Sequence, residues 1–443
     1  MGELVYTFAA TAARHRDGAT CLDGMRLLAD TLHPYGVRVT WLVSPESASI
    51  AAPQLTAWHE RFGDDVALAT PDLTLGAQAR LSGAFDAKKT QLAAARDAVQ
   101  RVLPWAELVV AAGNHQDPEI VRLLEALGFE GLWGFCWEQI EVDAITDRGC
   151  PWDFYYMDPD DRLRPAKDRG VVAMEWTARD LLKSFHSGNP CLYSTDPNDV
   201  ARGGLCSWEN IDYWKGLADN YFRNTRWNDQ VFLLQHQEAH EMERGEGWLC
   251  YTEEDIREAA VMLDAFARYV TPRARVMTLA EAVRAYRERN PHTASSYMLW
   301  EDTPHPRPNP DYAWSTCPGP WPRTFLHYDR GAQMMFVDGK VEPVCIRNYR
   351  RPWDARTYYA EPIIPRARLM RNTQYAWRRE IEITVESPAA MPYGVTLWGD
   401  YSLYQIAEAP GLIEGKILPR ELLFLRYDLT PGTNTFLVSL QGK

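Results

Sequence analysis

The sequence predicts an α/β fold: seven or eight strand-helix units forming a closed or partly closed barrel, followed by an all-β domain. Three observations predict it. Strand-like and helix-like segments alternate from the first residues to about residue 290, as parallel strands with crossover helices require. A proline-rich, aperiodic stretch follows. Beyond it the pattern is strand-like only, with Asp338-Gly339 set between apolar runs as a hairpin turn. The expected organisation is a barrel domain over 1–290, a linker over 291–322 and a β-sandwich over 323–443.

Leu4–Ala10 reads as the first strand and Ala19–Leu32 as its helix, followed by strand Val37–Val43 and helix Pro53–Phe62. Asp65–Ala69 is the third strand, and Lys88–Val102 a long amphipathic helix. Leu108–Ala112 leads to Glu119–Leu127, and Gly131–Trp137 is the fifth strand. Val171–Trp176, Val231–Leu234, the helix Glu253–Tyr269 and the strand Ala274–Leu279 complete the barrel, with a closing helix to Arg289. Two segments, Glu138–Arg169 and Ser184–Asn228, are too long for tight connections and are expected as loops walling a cleft at the strand C-termini. Past the linker, Met334–Val344 is a hairpin. Further strands are expected at Glu380–Val385, Val395–Trp398, Leu422–Tyr427 and Thr435–Leu440.

Sixty acidic against 47 basic residues give a formal net charge of −13, which argues against nucleic acid or an anionic membrane as partner. No run of about 18 apolar residues is present to span a bilayer. The eight cysteines are scattered without a CxxC pair, which fits reduced thiols and predicts a cytoplasmic protein. Seventeen tryptophans offer faces for packing or for stacking on sugar rings. A homo-oligomer is left open.

Val231–Glu243 reads VFLLQHQEAHEME, an apolar strand that breaks into alternating His and Glu. Strand alternation sets His236, Glu238 and His240 on one face and Gln235, Gln237 and Glu241 on the other. On an extended strand His236 and His240 lie roughly 13 Å apart. One metal ion reaches both only if the chain bends, which the small Ala239 permits.

These pieces resemble polysaccharide deacetylases. LLQHQ matches the Leu-His pair that ends a late barrel strand in that family, and ARVMTLAEAV (Ala274–Val283) matches its final strand and "T-L-x-E" helix start. VYTFAATAARH, VRVTWLVSP and RLLEALGFEGLW are also similar, so the resemblance covers about residues 3–285. It implies a distorted (β/α)7 barrel of the wider glycoside hydrolase and deacetylase superfamily. The family holds a divalent metal with an Asp after the first strand and two His after the third. Here the first strand runs Thr7, Phe8, Ala9, Ala10 and the third runs ALATPDLTLG, with Thr70 and Asp72 but no His. Only His236 stands at a matching functional position, so the usual metal site is expected to be missing.

Groups at strand C-termini are expected to converge at the barrel rim. Glycoside hydrolysis needs one protonated and one ionised carboxyl, and apolar and polar surroundings separate the two pKa values. Glu175 and Glu238 are the first candidates and Glu138 the reserve, with no cofactor and no metal. Asn114, His115, His236 and His240 would contact an oligosaccharide or glycoside substrate, and Trp137, Trp152, Trp176 and Trp208 would shape subsites. His115 has a plainer reading beside the helix start at Asp117-Pro118. The segment YSTDPNDVARGG (Tyr193–Gly204) is expected as a sugar-binding loop or a self-bonded turn cluster. Two alternatives stand beside the hydrolase: a metal-dependent carbohydrate deacetylase or amidohydrolase using His236, Glu238 and His240, and a catalytically inactive sugar-binding protein.

Overall fold

Val, Ile, Leu and aromatic side chains fill the short apolar runs of the N-terminal part, and in the computed structural model these runs assemble into one largely parallel sheet. The structure describes residues 2–12, 22–70, 81–113, 117–135, 154–160, 166, 169–178, 193–225, 228–243, 251–291, 296–300, 324–329, 334–337, 340–345, 366–387, 389–398, 401–418 and 422–443.

The strands are β1 (Glu3–Thr11), β2 (Val39–Val43), β3 (Asp65–Ala69), β4 (Val110–Ala112), β5 (Gly131–Phe135), β6 (Tyr155–Tyr156), β7 (Val172–Glu175), β8 (Gln230–Glu238) and β9 (Arg275–Val276). Their order is β6-β7-β5-β4-β3-β2-β1-β8, with β9 beside β1. All pairs are parallel except β6 with β7. β1 and β8 lie side by side along their whole length, from Glu3 opposite Gln230 to Thr11 opposite Glu238.

Alternation along the strands builds two cores. One face buries Tyr6, Phe8, Trp41 and Leu233 against helices α1 (Leu22–Leu32), α2 (Pro45–Phe62), α3 (Phe85–Val102), α4 (Ile120–Ala126), α6 (Asp212–Asn224) and α7 (Glu253–Val270). The other gathers Val5, Ala9, Leu42, Ala67, Val110, Trp133, Met174, Phe232 and Leu234 into one cluster, joined by Leu279, Val283 and Tyr286 of α8 (Leu279–Arg289). Trp133 of β5 and His236 of β8 approach with ring centroids 4.9 Å apart although β4, β3, β2 and β1 lie between those strands, so the sheet is strongly curved. A backbone hydrogen bond from Ala178 N–H to the Leu234 carbonyl, 2.7 Å, links the chain after β7 to β8.

Several elements differ from the sequence expectation, each for a local reason. α2 starts at Pro45 rather than Pro53, because Ser44 and Ser47 form a reciprocal capping box ahead of it; Pro53 is carried inside the helix. The strand expected over Ala274–Leu279 shrinks to β9, since Thr278 caps α8 by accepting from the Glu281 N–H. The loop expected over Ser184–Asn228 holds two helices, α5 (Pro197–Arg202) and α6. In α6 the buried Tyr213, Trp214, Leu217, Ala218 and Tyr221 recur at helical spacing, aromatics taking places usually held by aliphatics. Within Tyr193–Gly204, Asp196 caps α5 by accepting from the Asn198 and Asp199 N–H groups, while Trp214 Nε1–H donates to the Ser194 carbonyl and Gln235 Nε2 to the Thr195 carbonyl.

Beyond α8 the described strands are antiparallel. β10 (Ser296–Trp300) lies within the stretch expected as linker and pairs with β11 (Thr324–Asp329); β12 (Met334–Val337) and β13 (Lys340–Cys345) complete that sheet. Val337 opposite Lys340 closes the expected hairpin, whose two turn residues lie outside the described residues. A second sheet runs β14 (Arg366–Tyr375), β15 (Arg378–Ser387), β20 (Gly432–Gly442), β17 (Tyr404–Glu408). A third runs β16 (Met391–Trp398), β19 (Leu422–Leu429), β18 (Leu412–Leu418). Ile381, Ile383, Val395, Leu397, Leu423, Leu425, Val438 and Leu440 from these last two sheets share one core. Among the described residues, no helix is long and apolar enough to cross a membrane.

Candidate functional site

Phe232 and Leu234 of β8 belong to the inner cluster, and Val231 and Leu233 to the outer one. Alternation therefore aims His236 and Glu238 inward at the C-terminal end of the sheet. His236 is 1% exposed and fixed on both ring nitrogens. Trp176 Nε1–H donates to Nδ1 at 2.7 Å, and Nε2 lies 2.9 Å from the Thr11 hydroxyl. An indole N–H can only donate, so Nδ1 keeps its lone pair, and a hydrogen on the neutral ring sits on Nε2, facing Thr11. Trp133 covers the ring with centroids 4.9 Å apart. His236 is thereby a buried pin between β7 and β1, its ring nitrogens meeting Trp176 and Thr11.

β8 stops at Glu238 and the chain turns through a short 3-10 segment, Ala239–Met242. Two small residues make the turn fit. A Cβ at Gly24 of α1 would run into the Ala239 carbonyl, and the Gly24 N–H donates to Glu243 Oε2 at 3.1 Å. The bend corrects the alternating picture of one strand face. His240 folds back to place Nε2 3.0 Å from Glu238 Oε2, each side chain about a fifth exposed. Glu241, expected on the opposite face, joins them: one donor atom from each of Glu238, His240 and Glu241 lies within 4.8 Å of the others.

Glu241 is held from three sides. Its Oε1 accepts from the Tyr251 hydroxyl at 2.9 Å, and its Oε2 accepts from Asn198 Nδ2 at 2.8 Å and Gln237 Nε2 at 3.1 Å. Burial pushes its pKa up to about 7, and the neighbouring Glu238 charge adds to the rise; His240 and the Asn198 hydrogen bond oppose it. Two carboxyls in closely different settings can divide acid and base roles. The same donor set, one imidazole nitrogen and two carboxylates, also suits a zinc-type cation. Of the third-strand residues read against the deacetylase resemblance, Thr70 Oγ1 donates to the Ala112 carbonyl at 2.7 Å, and Asp72 lies outside the described residues.

Glu175 is not brought to this cluster. It closes β7 at 1% exposure, and since Val172, Met174 and Trp176 lie in the inner cluster while Val171 and Ala173 lie in the outer one, its place falls in the outward register. Trp176 is 2% exposed and serves His236 through its N–H rather than offering a face. Trp208 is 38% exposed, with the Arg257 guanidinium 5.4 Å from its ring centroid. Asn114, His115, Trp137, Glu138 and Trp152 lie outside the described residues. The residue missed at sequence level is Glu241; its signal was Ala239, small enough to turn the strand.

No protein-family model matches the chain, and no curated protein matches it. Among solved structures, it is similar to a protein of Mycobacterium smegmatis assigned as a polysaccharide deacetylase, at 12% identity and TM-score 0.41, covering 70% of this chain and 96% of that one. A second, from Pseudomonas aeruginosa and assigned likewise, has 9% identity and TM-score 0.42, covering 65% and 92%. The 4-alpha-glucanotransferase of Thermococcus litoralis is similar over 100% of both chains, at 8% identity and TM-score 0.39.

Proposed function

We propose that this chain is a carbohydrate-active hydrolase whose chemistry is centred on Glu238, His240 and Glu241. The observation that carries the proposal is the gathering of these three side chains, with donor atoms within 4.8 Å, at the C-terminal end of a parallel sheet, where α/β folds place their sites. The sequence resemblance to polysaccharide deacetylases supplies the substrate class. In the favoured reaction, glycoside hydrolysis, Glu241 is the protonated acid and the ionised Glu238 is the nucleophile or base, a pairing suited to retaining chemistry. Glu241 thus takes the place first given to Glu175. The curved sheet and its single inner core support a distorted (β/α) barrel as scaffold, and the shared core of the last two sheets supports a β-sandwich.

A second reading, carbohydrate deacetylation, is favoured by the donor set itself. A divalent cation held by Glu238, His240 and Glu241 would supply Lewis-acid activation there. The test is turnover of nitrophenyl glycosides and acetylated sugars by wild type and Glu238→Gln, with and without prior chelation. Glycoside turnover that survives chelation and drops at least about a hundredfold in the variant supports the carboxylate pair. Deacetylation lost on chelation establishes the metal reading, and turnover unaffected by Glu238→Gln removes the site from the reaction.

A further inference from the structure

We propose that Asn198 and Gln237 are positioning residues that fill one carboxyl oxygen of Glu241 and thereby reserve the other, Oε1, as the oxygen that gives up a proton to the substrate. A carboxyl group offers about four lone-pair sites, half of them on each oxygen. At Glu241, Oε2 accepts from Asn198 Nδ2 at 2.8 Å and from Gln237 Nε2 at 3.1 Å, so both of its sites are used. Oε1 meets one donor among the described residues, the Tyr251 hydroxyl at 2.9 Å, and keeps its second lone pair. A proton carried by Glu241 therefore sits on Oε1. The inference rests on the function proposed above, in which Glu241 is the acid.

Packing alone does not account for the two amides. Gln237 is fully buried on β8, and its Nε2 also lies 3.2 Å from the Glu238 carbonyl, while its Oε1 has no hydrogen-bond partner among the described residues. Burying an acceptor in this way is uncommon, and a methionine of similar shape would fill the space without it. The amide is kept for its N–H. Asn198, also buried, reaches Glu241 from α5 and is set from behind. Asp196 accepts its backbone N–H at 3.0 Å, Gln235 Nε2 donates to the Thr195 carbonyl at 3.0 Å, and the Tyr6 hydroxyl donates to Gln235 Oε1 at 2.6 Å. Donors fixed beforehand need no reorientation when charge develops. In the reaction the Oε1–H bond breaks and the proton passes to the leaving glycosidic oxygen, which also keeps the electron pair of the breaking C–O bond. Glu241 is left as a carboxylate, to which hydrogen bonds are roughly twice as strong as to a neutral acid. The amides thus favour the transition state over the bound substrate and act on rate rather than on substrate affinity.

The test uses the full chain with the size-matched changes Asn198→Leu and Gln237→Met, singly and together, so that the single variants serve if the double variant does not fold. Each is assayed on the phenyl and dinitrophenyl glycosides of the sugar that wild type cleaves best. A phenol leaves poorly without a proton, whereas a dinitrophenol needs none. The proposal expects each variant to lose at least about tenfold in kcat/KM on the phenyl glycoside and to stay within about twofold on the dinitrophenyl glycoside. Equal losses on both substrates overturn it, since a general disturbance of the fold lowers both alike, and so does full activity on both. Crystal structures of wild type and the variants give a readout that needs no turnover. The Glu241 carboxyl is expected to turn about its terminal torsion while the backbone of Ala239–Met242 stays in place, and an unmoved carboxyl overturns the proposal. If wild type cleaves no glycoside, the reaction proposed above fails, and the crystal structures still decide whether Asn198 and Gln237 set Glu241.

Discussion

Glu241 gathers more of the site's physics than any other side chain. Its pKa is raised from an unfolded value of 4.5 to about 7, chiefly by burial. The protonated form is therefore the one favoured by folding. This contribution to stability is fully present below about pH 4.5 and is lost as pH rises through about 7. Glu241→Gln removes the titration: its urea midpoint should equal that of wild type near pH 4 and exceed it near pH 8, a comparison that denaturation at the two pH values makes directly. As the acid of the reaction, Glu241 should also give wild-type kcat/KM an alkaline limb near pH 7, absent from the residual activity of the variant. His236 shows the reverse case. It has the residue type and strand position of a ligand, yet an indole donor and a hydroxyl occupy its ring nitrogens.

The 3-10 turn Ala239–Met242 owes its shape to α1. Gly24→Ala would press a methyl group into the Ala239 carbonyl, a clash with backbone that no side-chain rotation relieves. Destabilisation of about 2–4 kcal/mol is expected, together with lost turnover as His240 and Glu241 shift; thermal melts and steady-state assays on one preparation would show both. Wild-type turnover in a correctly folded Gly24→Ala protein would mean the turn is not part of the site. This dependence also explains what was legible in the sequence. β3 and α7 could be located closely because their periodicity and caps are local: Asp65–Ala69 is the observed strand, and Thr252 with Asp255 boxes the start of α7. The alternation of His236 and Glu238 on β8 was likewise readable. The end of that alternation was not, because it is set by a contact with a helix more than 200 residues earlier. Glu241 was therefore assigned to the wrong face. Glu175 was readable as a strand end, but which face it takes depends on the two cores that only the assembled sheet defines.

Among the described residues, the buried hydrophobic side chains divide into cores that follow sequence: residues before 290 build the two faces of the parallel sheet, and residues after 380 build the C-terminal core. A cavity-forming change such as Ile383→Ala, at a fully buried position, costs about 2–4 kcal/mol. Calorimetry should show two transitions, only one of them lowered by Ile383→Ala, with turnover at 25 °C intact; one joint transition shifted as a unit would mean the cores fold together. The domain boundaries expected from composition are thus a statement about cooperativity. The pairing of β1 with β8 has its own consequence, in time. β1 leaves the ribosome well before the strand that covers one of its edges, which ends at Glu238. Between the completion of β2 and that of β8, synthesis at about 5–20 residues per second takes roughly 10–40 s. For that interval Val5, Tyr6 and Phe8 stand on an open sheet edge. A nascent chain of this protein is exposed to edge-to-edge pairing with its neighbours on a polysome, and slow translation before residue 238 prolongs that exposure.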